Sequence, residues 1–258
     1  MKNTKQLLSI MSQLRDKENG CEWDKEQTFE SIAPYTIEEA YEVADAIDRG
    51  NISDLQEELG DLLLQVVFLS QIAHEEKLFS FEDVAESISQ KLVRRHPYVF
   101  SDQKDHTAKE QVNQWEEIKI KERSKKNQIN ILDGIAKNLP ALKRSQKLQK
   151  RASKEGFDWP NTKGVFKKIR EETLELEEAV QSNNKELMTD EIGDLLMVVT
   201  NLAQKLNIDS EEALKQANKK FTFRFNYIEK ELRKQKKEVS DTNLDELDSL
   251  WDESKKLM

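Results

Sequence analysis

A string of acids that occurs twice in one register constrains this chain more than any other feature. Ile37-Glu38-Glu39-Ala40-Tyr41-Glu42 is followed by Glu57-Glu58-Leu59-Gly60-Asp61, and the pattern returns as Arg170-Glu171-Glu172-Thr173-Leu174-Glu175 and Asp190-Glu191-Ile192-Gly193-Asp194. Glu171 lies 133 positions after Glu38, and Asp194 lies 133 positions after Asp61. The acids and the segment between them therefore repeat without a gap, as a duplicated helical unit would. Solvated surface acids have no reason to hold such a register, whereas a site that needs several oxygens at fixed positions does.

The rest of the chain suits helices. Charged residues make up 35% and hydrophobic residues 36% of it, with only 7 Gly and 4 Pro to break long amphipathic stretches. The spacing predicts a first helix carrying Leu7, Leu8, Met11 and Leu14, a loop at Asn19-Gly20-Cys21-Glu22-Trp23-Asp24, and a helix over 34–48 that stops at Gly50. A second helix restarts after Ser53, whose Ser53-Asp54-Leu55-Gln56 has the form of a capping box, and a third runs over 81–95 to the His96-Pro97 break. The later copy repeats this plan over 165–180, 185–206 and 210–227, with Asn183-Asn184 at the turn, after an entry loop at 156–160. Leu244, Leu247, Leu250 and Trp251 mark a short final helix.

A net charge of −9 argues against direct nucleic-acid binding, because phosphate backbones are held by surplus Lys and Arg. Cys21 alone permits no disulfide within the chain, and no apolar run is long enough to span a bilayer. A signal-peptide core is also lacking, so a cytoplasmic location is expected.

Residues three apart share a helix face, which pairs Glu39 with Glu42 and Glu58 with Asp61. Glu42 and Glu58 stand at equal distance from the Gly50 turn, as do Glu39 and Asp61. An antiparallel hairpin should bring both pairs to one height, and Glu172, Glu175, Glu191 and Asp194 repeat the arrangement. Four converging, partly desolvated carboxylates need protons or a cation, and all-oxygen ligation selects Mg²⁺ or Mn²⁺. A di-iron centre would require Glu-x-x-His elements, which His74, His96 and His106 do not form.

Such a cation leaves positions open for substrate phosphates. Lys91, Arg94 and Arg95 recur as Lys220 and Arg224, and recurrence favours phosphate contact over mere complementation of a helix dipole. Lys167 and Lys168 stand just before the second acidic motif and could add charge. Trp23, Trp159 and Trp251 are packing residues first and nucleobase platforms second.

Together these residues resemble the MazG family of nucleoside triphosphate pyrophosphohydrolases. The resemblance rests on CEWD at 21–24, EEAYE at 38–42, EELGD at 57–61, KLVRRHPYVF at 91–100, LDGIAKNLPAL at 132–142, GFDW at 156–159, REETLE at 170–175, DEIGD at 190–194 and LWDESKK at 250–256. It covers almost the whole chain as a tandem two-unit member. It implies an all-α fold of two helical-bundle units, 1–118 and 141–258 joined by a linker at 119–140, each built on an antiparallel hairpin bearing the EExxE and ExxD acids. It also implies a homodimer that hydrolyses nucleoside triphosphates to monophosphates and pyrophosphate with Mg²⁺, in nucleotide-pool control. By the same resemblance the second-unit metal ligands are Glu172, Glu175, Glu191 and Asp194, with Glu171 orienting or deprotonating water and Lys168, Lys220, Arg224 and Trp251 contacting substrate. Glu39, Glu42, Glu58 and Asp61, with Glu38 beside them, are the first-unit equivalents. Phe223 departs from the pattern, standing where the Arg94-Arg95 pair has its first arginine. A metal-clasped, non-catalytic nucleotide-binding module is the alternative to an enzyme.

Overall fold

The computed structural model describes residues 2–100 and 130–257, together with Thr107, Gln111, Ile118 and Glu122. It divides into two compact units, Met1–Lys119 and Ile120–Met258. The first holds α1 (Lys2–Leu14), α2 (Glu22–Glu26), α3 (Phe29–Arg49), α4 (Ile52–Glu75), α5 (Phe81–Arg95) and α6 (Pro97–Phe100). The second holds α7 (Ala141–Lys154), α8 (Thr162–Gln181), α9 (Lys185–Lys205), α10 (Ser210–Lys234) and α11 (Leu244–Ser254), with short 3₁₀ turns at Val239–Asp241 and Lys255–Leu257. No strand occurs among the described residues, and the fold is all-α. None of the described helices is long and apolar enough to cross a membrane. The expected linker at 119–140 lies outside the described residues up to 129, apart from Glu122.

Each unit is organised by its acidic hairpin, α3 against α4 and α8 against α9. Gly50 ends α3 in the left-handed region at φ 66°, a conformation that a Cβ disfavours. Asn183 makes the equivalent turn at φ 52°, which Asn tolerates better than most residues. In the first unit Met11, Ile32, Val67, Phe68 and Ile72 form the core, with α1 packed on α4. Ile228, Leu232 and Leu250 form a smaller core in the second, flanked by Leu247 and Trp251, so the final helix docks through three residues of its predicted apolar face while Leu244 stays exposed.

Helix boundaries differ from the sequence reading in several places. α3 starts at Phe29 rather than at position 34, because Thr28 and Ser31 form a reciprocal capping box there, and Pro34 is carried inside the helix. The cap of α4 is Asn51, whose side chain accepts from Ser53 N and Asp54 N, so Ser53 lies inside the helix rather than capping it. Glu22–Glu26 is a short helix rather than loop, and α10 continues to Lys234 beyond position 227.

A buried cation fastens the segment that leads into α3. Arg15, only 6% exposed, donates from Nε and Nη2 to the Glu75 carboxylate, at 2.8 Å for the closest pair. Its Nη1 donates to the backbone carbonyls of Asp24 and Gln27, and its guanidinium lies 5.4 Å from the Phe68 ring centre. In the second unit Lys205 takes this role, bonding Asp158 at 2.8 Å and the carbonyl of Trp159.

Candidate metal centre

In the first unit, carboxylate oxygens of Glu39, from α3, and of Glu58 and Asp61, from α4, lie within 4.8 Å of one another. All three side chains are half-buried. Glu42, expected as a fourth member, is exposed and outside this trio, although its charge still acts on Glu39 and Glu58. Glu38 is exposed on α3 beside the trio. Burial raises the Glu39 carboxyl above the usual glutamate range, helped by Asp61 and Glu42, and burial raises Glu58, helped by Glu42 and Asp61.

The second unit gathers a different trio. Glu172 and Glu175 of α8 meet Glu191 of α9 within the same 4.8 Å, while Asp194 is exposed and outside the group. Glu172 is 3% exposed, an unusual position for a carboxylate. Burial raises the Glu175 carboxyl, with Lys168 opposing and Glu172 and Glu191 adding to the rise. Glu191 is raised by burial and then by Glu172 and Asp194. Each hairpin thus contributes one shared pair, Glu39 with Glu58 or Glu172 with Glu191, and takes its third oxygen from the opposite helix.

The surroundings of the trios also differ. Lys168 Nζ donates to Glu171 Oε1 at 2.6 Å and lies 2.6 Å from Glu172 Oε1. This pairing holds the Glu171 carboxyl below its usual range and pushes the lysine up. Near the first trio the contact comes instead from Gln65, 7% exposed, whose Nε2 donates to Glu39 Oε1 at 3.2 Å. The other amide atom of Gln65, Oε1, is buried without a hydrogen-bond partner in the structure. Sequence reading gave Gln65 no role; its spacing four residues after Asp61 was the available signal.

The expected substrate contacts fall on two helices, at the end of one and in the middle of the other. Lys91, Arg94 and Arg95 occupy the C-terminal end of α5, which packs on α4. Lys220 and Arg224 lie on α10, which packs on both α9 and α11. Arg224 stacks its guanidinium 5.3 Å from the ring centre of Trp251, and Phe221 tilts against the same indole at 5.4 Å. Phe223 is 42% exposed beside them. Trp23 packs edge-on to Phe68 and Tyr35, a packing role. His74 is exposed, His96 Nδ1 approaches the Leu92 carbonyl at 2.7 Å, and His106 lies outside the described residues.

The donor set of each trio is three carboxylates, all hard oxygens on facing helices, and this fits a hard divalent cation. The raised carboxyls point the same way, because burial first and neighbouring acids second oppose their ionisation, and a cation relieves both.

The MazG nucleotide pyrophosphohydrolase domain model matches residues 27–100 and 161–228, one segment over each acidic hairpin. A nucleoside triphosphate pyrophosphohydrolase of Escherichia coli K12 is 46% identical over 260 residues, covering 99% of this chain and 98% of that protein. A Thermotoga maritima nucleoside triphosphate pyrophosphohydrolase/pyrophosphatase MazG is 44% identical over 250 residues, covering 97% and 94%. A Bacillus subtilis protein, YabN, is 41% identical over 251 residues, which span 96% of this chain but only 50% of that protein. With a family model on both hairpins and similarity along nearly its whole length, the chain belongs to the MazG nucleotide pyrophosphohydrolase family.

Proposed function

We propose that this protein is an enzyme that hydrolyses nucleoside triphosphates to nucleoside monophosphates and pyrophosphate, using Mg²⁺ or Mn²⁺, in control of the nucleotide pool. The observation that carries this reading is the buried Glu172 converging with Glu175 and Glu191 beside Lys168, in a chain of this family. Glu172, Glu175 and Glu191, with Asp194 close by, would hold the cation. When bound, it supplies charge against the phosphate oxygens and lowers the pKa of a coordinated water.

The remaining work falls to the chain's own groups. Lys168, Lys220 and Arg224 balance the phosphate charge, and Trp251 offers a flat apolar face to the base. One water adds across the α–β phosphoanhydride. Its oxygen bonds to phosphorus, the bridging P–O bond breaks with its electron pair leaving on the departing phosphate fragment, and Glu171 takes the proton. Glu171 suits this as an exposed carboxylate next to the buried Glu172 on α8. The first trio, with Glu38, Glu42, Lys91, Arg94 and Arg95, is read as a second metal site rather than the main catalytic one.

A homodimer belongs to the same reading. Ile37, Tyr41 and Leu59 of the first hairpin, and Leu174, Ile192 and Leu196 of the second, are each at least 47% exposed, an apolar surface that a second copy would cover. A cytoplasmic setting agrees with the free Cys21.

Product analysis by phosphorus NMR tests the proposal. Monophosphate and pyrophosphate should appear together with added Mg²⁺, and release of orthophosphate alone would rule the reaction out. Turnover should vanish in Glu172→Ala and Glu175→Ala and survive in Glu39→Ala; the reverse pattern would move catalysis to the first unit.

A further inference from the structure

The two trios offer a cation the same kind of oxygens but face different company. In the second unit an ammonium already lies against the acids: Lys168 Nζ is 2.6 Å from both Glu171 and Glu172. Glu172 is the most buried acid of either trio, at 3% exposure, so this contact neutralises a charge that water barely reaches. The lysine side chain itself is 33% exposed and has solvent to move into. In the first unit the position 133 residues earlier is Tyr35, and the group that touches the trio is the neutral amide of Gln65.

We propose that Lys168 is a placeholder cation, which holds Glu172 and Glu171 together while the second site is empty and must withdraw from Glu172 when a divalent ion binds. The geometry leaves little choice. An ammonium in contact with a carboxylate and a divalent ion taken up by the same carboxylate repel each other, and the exposed, flexible member of the pair is the one that moves. Two consequences follow. Metal alone binds the second unit more weakly than the same acids would without Lys168 against them. Withdrawal also frees Glu171, so that the ligand set and the proposed proton acceptor are released by one movement. An anionic phosphate near the site gives the displaced ammonium a new partner, and nucleotide and metal therefore enter the second unit cooperatively. This inference rests on the metal reading above.

The test is Mn²⁺ binding to the full chain without nucleotide, followed by the electron paramagnetic resonance signal of free Mn²⁺. A background of Glu39→Gln with Glu58→Gln silences the first trio so that the second is read alone. In that background Lys168→Met should tighten Mn²⁺ binding about tenfold or more, and Lys168→Arg should leave it near the parent value. Conversely, Tyr35→Lys in a chain whose second trio is silenced by Glu172→Gln with Glu191→Gln should weaken first-unit binding by a similar factor. Unchanged or weaker binding in Lys168→Met would overturn the placeholder role and leave the metal site standing. Absence of Mn²⁺ binding in every variant, with the fold intact by circular dichroism, would overturn the metal reading itself.

Discussion

Replacing Arg15 by Met should destabilise the first unit selectively, by an amount that its contacts set. The guanidinium is almost fully buried, pairs with Glu75 through two nitrogens, and gives its third to the carbonyls of Asp24 and Gln27. Losing one member of a buried ion pair costs about 3–5 kcal/mol. Glu75 is 28% exposed and keeps a hydrogen bond from Gln71, which puts this part near or below the low end. The two carbonyls lose a donor, while the Met side chain retains packing on Phe68, so a net loss of about 3 kcal/mol is expected. For a unit of this size that lowers the melting temperature by roughly 10 °C. Calorimetry of the full chain should show the first-unit transition falling while the second stays in place, since the Arg15 contacts named here lie within the first unit. Turnover measured below that transition should be unaffected. pH provides a second readout. Burial raises the Glu75 carboxyl, but the Arg15 and Gln71 hydrogen bonds win and hold it below the usual glutamate range. A depressed carboxyl contributes stability that is present above its unfolded pKa and lost as pH falls through the folded value. The gap between wild type and variant should therefore close on acidification. A loss under about 1 kcal/mol, or a gap that widens in acid, would refute the account of Arg15 as the fastening of this segment.

Three further outcomes are expected. Glu39, Glu58, Glu175 and Glu191 all have raised carboxyls, so the metal-free chain should lose stability as pH rises from the ordinary glutamate value through the raised ones; added Mg²⁺ should restore it, as melting curves with and without chelator would show. Gly50→Ala should cost about 1 kcal/mol in chemical denaturation, because φ 66° disfavours a Cβ even though nothing stands within 4 Å of it. Trp251→Ala should raise KM for nucleotide about tenfold in steady-state assays, through loss of the indole that Arg224 and Phe221 brace, and an unchanged KM would remove Trp251 from the substrate cradle.

The hairpins were legible because their determinants are local. Gly50 and the Asn183-Asn184 pair announce the turns through backbone preferences that survive any packing, and the equal spacing of the acids about the turn follows from helix geometry alone. Backbone register could not say which three acids would meet. Glu side chains carry several rotatable bonds, so Glu42 can turn outward while Glu175, its repeat partner, turns in. Pro34 misled the reading of α3, since proline usually marks a first turn, yet the Thr28 and Ser31 cap starts the helix earlier. Asn51 was hidden behind Ser53, whose Ser-x-x-Gln spacing met the pattern of a cap without its backbone conformation. The parts that distinguish the two sites, Gln65 against Glu39 and Lys168 against Glu172, are long side chains reaching neighbours, and no periodicity reports where such a chain comes to rest.

The exposed apolar residues of the hairpins have a consequence beyond assembly. Tyr41 and Leu59 are sequence neighbours of Glu42 and Glu58, and Ile192 of Glu191. A surface that covers them removes water from beside the acids and lowers the local dielectric, so the same carboxylates repel more strongly when bare and hold a cation more tightly when loaded. In the proposed homodimer, association and ion uptake would share one free energy. Each would promote the other by an equal factor, so dilution would draw cations out of the protein as surely as chelation would drive its subunits apart.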